Sequence, residues 1–147
     1  MAIKTSSGLR NFMLVTGAFR GAMNGGTLKV YGGAVPADAD AAIGAAILLS
    51  TVTNASTATG VTFAATASGG TVTKTASEVW SGLNAASGTA TFYRLLSAAD
   101  TGAASATESR VQGLISTAGA DLNLSSVALA AGATQTVDFY SIALPTS

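Results

Sequence analysis

The chain has 147 residues, seven of them basic and seven acidic, and contains neither cysteine nor histidine. That length suits one domain with a single core. Without Cys or His there can be no disulfides, Cys/His zinc sites, thiol nucleophiles or Ser-His-Asp triads of the usual kind. Charged residues are only 10% of the chain, against roughly 25% in an ordinary soluble domain, and Ala, Gly, Ser and Thr make up more than half of it. Disorder pairs low hydrophobicity with high net charge. This chain has the opposite character, and its bulky residues recur in short, evenly spaced bursts, so it is expected to fold. A neutral, sparsely charged surface does little to keep copies apart, which points to a subunit packed against neighbours.

Residues 1–7 read as a polar arm. Ser6 or Ser7 can cap a helix beginning near Gly8 or Leu9. Leu9, Phe12, Met13, Thr16, Phe19 and Met23 follow i, i+3, i+4, i+7 spacing, and Asn24-Gly25-Gly26 stops the helix. Gly17 and Gly21 each weaken it by about 1 kcal/mol relative to Ala, so it needs a surface to dock on. The apolar stretch 12–15 is too short for a signal peptide and Arg20 follows closely, so none is expected.

A first strand is predicted over 27–31, ended by Gly32-Gly33, then a loop over 36–43 carrying Asp38 and Asp40. Strands follow over 47–53 and 61–66, the latter forming a hairpin with 71–75 through Ser68-Gly69-Gly70. No charged residue occurs from 41 to 73, but Thr, Ser, Asn and Gly interrupt every apolar run, which argues against a membrane span. A strand over 78–83 is expected to pair as a hairpin with 89–96 across 84–88. Residues 110–117 alternate, Leu122 and Leu124 share a face, and a last strand runs over 134–144, ended by Pro145.

This pattern predicts a mainly β protein: an antiparallel β-sandwich, jelly-roll or Ig-like, of about eight strands with one N-terminal amphipathic α-helix. Abundant Thr supports strands. The arm and helix take up 1–26 and the sandwich 27–147, as one compact domain.

The chemistry-bearing residues are few. Acid–base or glycosidic chemistry needs two carboxylates facing across a cleft, and the spacing of Asp38, Asp40, Glu78, Asp100, Glu108, Asp121 and Asp138 shows no such pair. Asp38 and Asp40 lack the twelve-residue calcium pattern and are expected to solvate or cap a loop. No phosphate-binding glycine motif occurs. Gly17, Gly21 and Gly25 have the spacing that lets a neighbouring element approach closely. No catalytic residue, metal ligand or cofactor is expected, and the chain does not read as an enzyme.

Trp80, Phe92, Tyr93, Phe139 and Tyr140 fall in predicted strands, where packing is the usual fate of aromatics, with stacking on sugars the alternative. Arg94 and Arg110 also fall in apolar strands and need partners, for which Asp138 and Glu78 are the nearest acids in strands. Charge is segregated, because Lys4, Arg10, Arg20 and Lys29 occupy the first 37 residues, which hold no acid. These four cations with Phe12 form the candidate interaction surface, directed at an acidic protein surface, another copy's included. Scattered cations without an aromatic platform give little affinity for nucleic acid.

Several segments occur in a familiar order: 4–11 (KTSSGLRN), 29–36 (KVYGGAVP), 78–82 (EVWSG), 88–94 (GTATFYR), 111–113 (VQG), 119–124 (GADLNL) and 135–137 (QTV). The order resembles that of small proteins encoded among the virion structural genes of tailed bacteriophages, over most of the chain. Its motifs are turns and strand residues, so the resemblance carries over no catalytic residues. It implies a virion component, assembled in the bacterial cytoplasm. The expected role is a capsid decoration, or cement, protein that binds the major capsid protein or other virion proteins, as a homo-oligomer. The alternatives are a tail, neck or fibre component, and a carbohydrate-binding receptor tip using Trp80 and the strand tyrosines.

Overall fold

A computed structural model describes residues 3–144. In chain order the strands are β1 (Lys4–Thr5), β2 (Thr27–Gly32), β3 (Ile47–Asn54), β4 (Thr71–Thr73), β5 (Trp80–Leu83), β6 (Gly88–Thr89), β7 (Phe92–Leu96), β8 (Arg110–Ser116), β9 (Leu122–Asn123), β10 (Ala128–Leu129), β11 (Thr134–Val137) and β12 (Ser141–Ala143). Two helical turns, α1 (Ser7–Asn11) and α2 (Phe19–Met23), lie between β1 and β2. The fold is mainly β, as expected. Its main sheet has the order β1-β8-β7-β2-β3-β5-β11, with β9 added parallel to β8. Two antiparallel pairs, β10–β6 and β12–β4, complete the strands.

Residues from the main sheet, the small strand pairs and the connecting segments form the core. Leu28, Val30, Val52, Tyr93, Leu95 and Val111 come from the main sheet and pack in one cluster with Phe63, Leu129, Tyr140 and Ile142. Leu9 and Met23 from the helical turns belong to the same cluster, so the N-terminal segment is part of the core and its arm supplies an edge strand of the sheet. Every residue of β7 is buried, which requires cover on its second face as well.

The helical segment forms, but in two pieces, residues 7–16 and 19–23, rather than as one rod. Ser6 caps α1 by accepting from Leu9 N at 3.1 Å. After α1 the chain widens into a π-helical turn over Phe12–Thr16, and Gly17 and Ala18 are extended before α2 starts. The low helix propensity of Val15, Thr16, Gly17 and Gly21 makes such a break cheap. Tertiary contacts then decide its place: Arg20 Nε donates to Phe63 O at 3.0 Å, and the rings of Phe19 and Phe63 meet edge to face at 5.1 Å. The small-residue spacing accommodates Phe12, whose ring lies 3.4 Å from where a Cβ on Gly17 would stand.

Other pairings differ from expectation. The turn at 68–71 forms, with Gly69 and Gly70 both at positive φ, as a two-residue hairpin turn requires. Residues 61–66, however, make only isolated bridges. Successive N–H groups there go to four different acceptors: Gly26 O, the Glu78 carboxylate, the Asn24 side chain and Thr73 O. The expected hairpin between 78–83 and 89–96 does not exist. β5 pairs with β3 and β11, whereas β7 lies between β2 and β8. The chain turns at 84–88 as predicted, but a turn signal does not specify which strand receives the free edge. The predicted last strand divides as well: β11 ends the main sheet, and β12 joins β4 after the corner at Asp138–Tyr140. Pro145 lies outside the described residues.

Candidate functional site

Register places Lys4 opposite Gln112, Gln112 opposite Arg94, and Arg94 opposite Lys29. Cross-strand partners share a face, so these four side chains form one row across β1, β8, β7 and β2. Arg110 follows two residues before Gln112 on the same face. The row holds cations and no acid. What covers it is backbone: the segment 36–39 runs over this face, and its four successive carbonyls all accept from side chains of the sheet. Gln112 Nε2 donates to Pro36 O at 2.9 Å, Lys4 Nζ to Ala37 O at 2.6 Å, Arg94 Nη2 to Asp38 O at 3.0 Å and Arg110 Nη1 to Ala39 O at 3.3 Å. The 36–41 segment therefore acts as a strap over the second face of β7 and β8. On the same face Tyr31 and Phe92 stack with centroids 5.0 Å apart.

The two buried arginines are held differently. Arg110 is paired with Asp100, which keeps its guanidinium charge favoured beyond the usual arginine range. Arg94 donates through Nε to Gln112 Oε1 at 2.9 Å, and its Nη1 has no hydrogen-bond partner. Burial, followed by the nearby Arg110, depresses its tendency to hold a proton. The expected partners Asp138 and Glu78 serve neither arginine. Asp138 is exposed, and Glu78 lies in a different network. The acid that pairs with Arg110 comes not from a strand but from the loop after β7.

Apart from exposed Asp138, the carboxylates serve local structure. Asp38 accepts from the N–H groups of Asp40 and Ala41, and Asp40 accepts from Ser7 N and Ser7 Oγ at 2.8 and 2.6 Å. The Ser7 hydroxyl bond is the main reason that Asp40 stays below the usual carboxylate range. Burial pushes Glu78 upward, but bonds from Thr62 N, Thr62 Oγ1 and Trp80 Nε1 outweigh it and hold Glu78 low. Asp121 accepts from Leu114 N at 2.8 Å. Among the described residues no group of three or more His, Cys, Asp or Glu could hold a metal ion.

Four of the five aromatics pack as expected, whereas Phe139 lies outside the strands, at the corner between β11 and β12, and does not. Trp80, Phe92, Tyr93 and Tyr140 are buried, and only Phe139 of the five is exposed. Trp80 lies edge to face on Phe63 at 5.4 Å, with its N–H on Glu78. Its ring has no face to offer a sugar.

The predicted interaction residues lie on two parts of the surface. Lys4 and Lys29 belong to the strapped sheet face. Arg10 and Arg20 line two neighbouring grooves that share Met13, Phe19, Ile142 and Leu144, and half-buried Phe12 starts the π-turn between them. Sequence reasoning missed the apex of that turn, Leu14 and Val15, which are 82% and 87% exposed. The helical periodicity did leave both off the apolar face, which was the available signal. No helix among the described residues is long and apolar enough to cross a membrane. Comparison with known proteins finds no matching family model, curated relative or solved structure.

Proposed function

We propose that this chain is a structural subunit of a tailed-phage virion, a capsid decoration protein that binds the assembled shell and stabilises it. The observation that carries the assembly part of this reading is the distribution of exposed apolar side chains. Leu14 and Val15 stand at the helical apex, Val35 and Ile47 flank the strap loop, Val79 precedes β5 and Leu83 ends it, Phe139 lies at the β11–β12 corner and Leu144 follows β12. A chain of zero formal net charge with apolar residues exposed at several separate places suits a body that meets several neighbours. The resemblance of seven ordered segments to phage virion proteins supplies the setting. Lys4, Arg10, Arg20 and Lys29 supply cations for an acidic shell surface.

Shells bear internal pressure, and modest contacts repeated by symmetry add up to a large stabilisation. The test is to add the purified chain to capsids that lack it and to image the particles by cryo-EM. Decoration of every capsomer, with a raised disruption temperature, is the expected result. Density confined to the tail or neck would move the protein there. Failure to bind, with capsids no less stable without it, would end the reading.

A further inference from the structure

Two arginines are buried on the strapped face, and only one of them has a counter-charge. Arg110 meets the Asp100 carboxylate and, in addition, the carbonyls of Ala39 and Ala103. Arg94 is as deeply buried but meets only neutral acceptors, Gln112 Oε1 through Nε at 2.9 Å and Asp38 O through Nη2 at 3.0 Å. Its Nη1 meets no acceptor at all. A guanidinium does not give up its proton in a protein, so the charge stays, and a buried charge without a partner is costly.

The surrounding groups do not offset it. The cross-strand neighbours of Arg94 are Gln112 and Lys29, and Arg110 lies two residues before Gln112 on the same face. Asp100 and Asp38 are the acids near enough to act on Arg94. Asp100 is committed to Arg110, and Asp38 turns its carboxylate to the N–H groups of Asp40 and Ala41. Cations gathered in one row draw an anion toward them.

We infer that Arg94 Nη1 holds a small monovalent anion, chloride, beneath the strap. One unpartnered nitrogen and one uncompensated charge call for a single negative charge. Size follows from the cover. Residues 36–41 contribute only Pro, Ala and Asp side chains, and four of their carbonyls are tied to the sheet. A monatomic ion asks least of that cover, whereas sulfate or phosphate would have to lift it. The inference concerns the folded chain alone and does not rest on the virion reading.

Urea denaturation in mixtures of sodium chloride and sodium gluconate at constant ionic strength tests it. Above the dissociation constant, each tenfold rise in chloride should raise the folding constant about tenfold, as a single site requires. Bromide should act like chloride. Arg94→Met replaces the guanidinium by an uncharged chain of similar length and should lose the dependence. Chlorine NMR lines should broaden with the natural chain and sharpen again on adding bromide, a readout that remains if Arg94→Met does not fold. Crystals grown in bromide should show anomalous density at hydrogen-bond distance from Nη1. Equal stability in chloride and gluconate would overturn the inference. So would a chloride dependence that survives in Arg94→Met, or a water molecule on Nη1 in the bromide crystals.

Discussion

Arg110 and Asp100 are joined by two parallel hydrogen bonds inside the protein, Nε to Oδ2 at 2.5 Å and Nη2 to Oδ1 at 2.8 Å, and neither side chain is more than 1% exposed. The fork geometry suits a guanidinium and a carboxylate. Arg110 also reaches Ala39 O and Ala103 O, so it ties the strap and the 98–108 loop to β8. Removing one partner strands the other charge out of water, whereas removing both does not. Asp100→Ala should therefore cost about 3–5 kcal/mol, and Asp100→Ala combined with Arg110→Met clearly less than the sum of the singles. Urea denaturation of the four proteins in a double-mutant cycle measures this.

The strap has a weaker attachment at Gln112, which accepts from Arg94 and donates to Pro36 O. Gln112→Leu should loosen the strap while leaving the core strands paired through their backbone. The amides of Asp40, Ala41 and Ser105, each bonded within or to the strap, should exchange about 10-fold faster, as a loss near 1.4 kcal/mol implies. The Leu95 amide should change much less. Equal acceleration at both places would mean that the strap does not open independently.

Glu78 links acid pH to stability. Its carboxylate is held below the ordinary value of 4.5 by bonds from Thr62 and Trp80 despite its burial. Because the folded value is the lower one, this stabilisation is fully present above pH 4.5 and is lost as pH falls through the folded value. Glu78→Gln sets an amide NH2 against donor groups and should cost about 2–3 kcal/mol at neutral pH. It should also flatten the acid limb of a stability–pH curve. Chemical denaturation between neutral and acidic pH reads both effects.

The hydroxyls of Tyr93 and Tyr140 share one hydrogen bond of 3.0 Å in the core, in which either oxygen can be the donor. Burial raises the pKa of both phenols well above 10.0. The folded state thus favours the neutral forms, and the associated stability is present below pH 10 and lost as pH rises beyond it. Tyr93→Phe or Tyr140→Phe leaves one hydroxyl unpaired and should cost about 1–2 kcal/mol. The double variant should cost less than the two singles together, as thermal melts would show.

Beneath the same pair, Gly113 allows the close approach of Tyr93. A Cβ there would stand 2.6 Å from the Tyr93 ring and 2.8 Å from the Asp121 Cβ. Gly113→Ala should destabilise the fold by about 1–3 kcal/mol through overpacking. Tyr93→Leu in the same chain should recover part of that loss, and denaturant midpoints would compare the two.

The strands 27–31, 47–53 and 110–117 were legible because each buries alternate or continuous apolar residues, a local property of the chain. The turn at 68–71 was legible for a similar reason: consecutive glycines permit the positive φ values that it needs. The strap was not legible. Its carbonyls are bonded by Lys4, Arg94, Arg110 and Gln112, which lie 33 to 76 positions away from their acceptors. Carbonyls carry no sequence signature, so nothing in 36–39 announces them as acceptors.

Sequence by itself determined that the chain is mainly β, that it has a helical N-terminal segment with its basic residues gathered early, and that its strand aromatics would pack. Those follow from side-chain chemistry and short-range periodicity. Tertiary structure alone decided that β5 would leave β7 for β3 and β11, that the helical segment would break at Gly17, and that Arg110 would choose Asp100. Each of those depends on which groups meet across long loops. Burial then made the choice, because a charge or backbone amide removed from water must be satisfied by whatever the fold brings within reach.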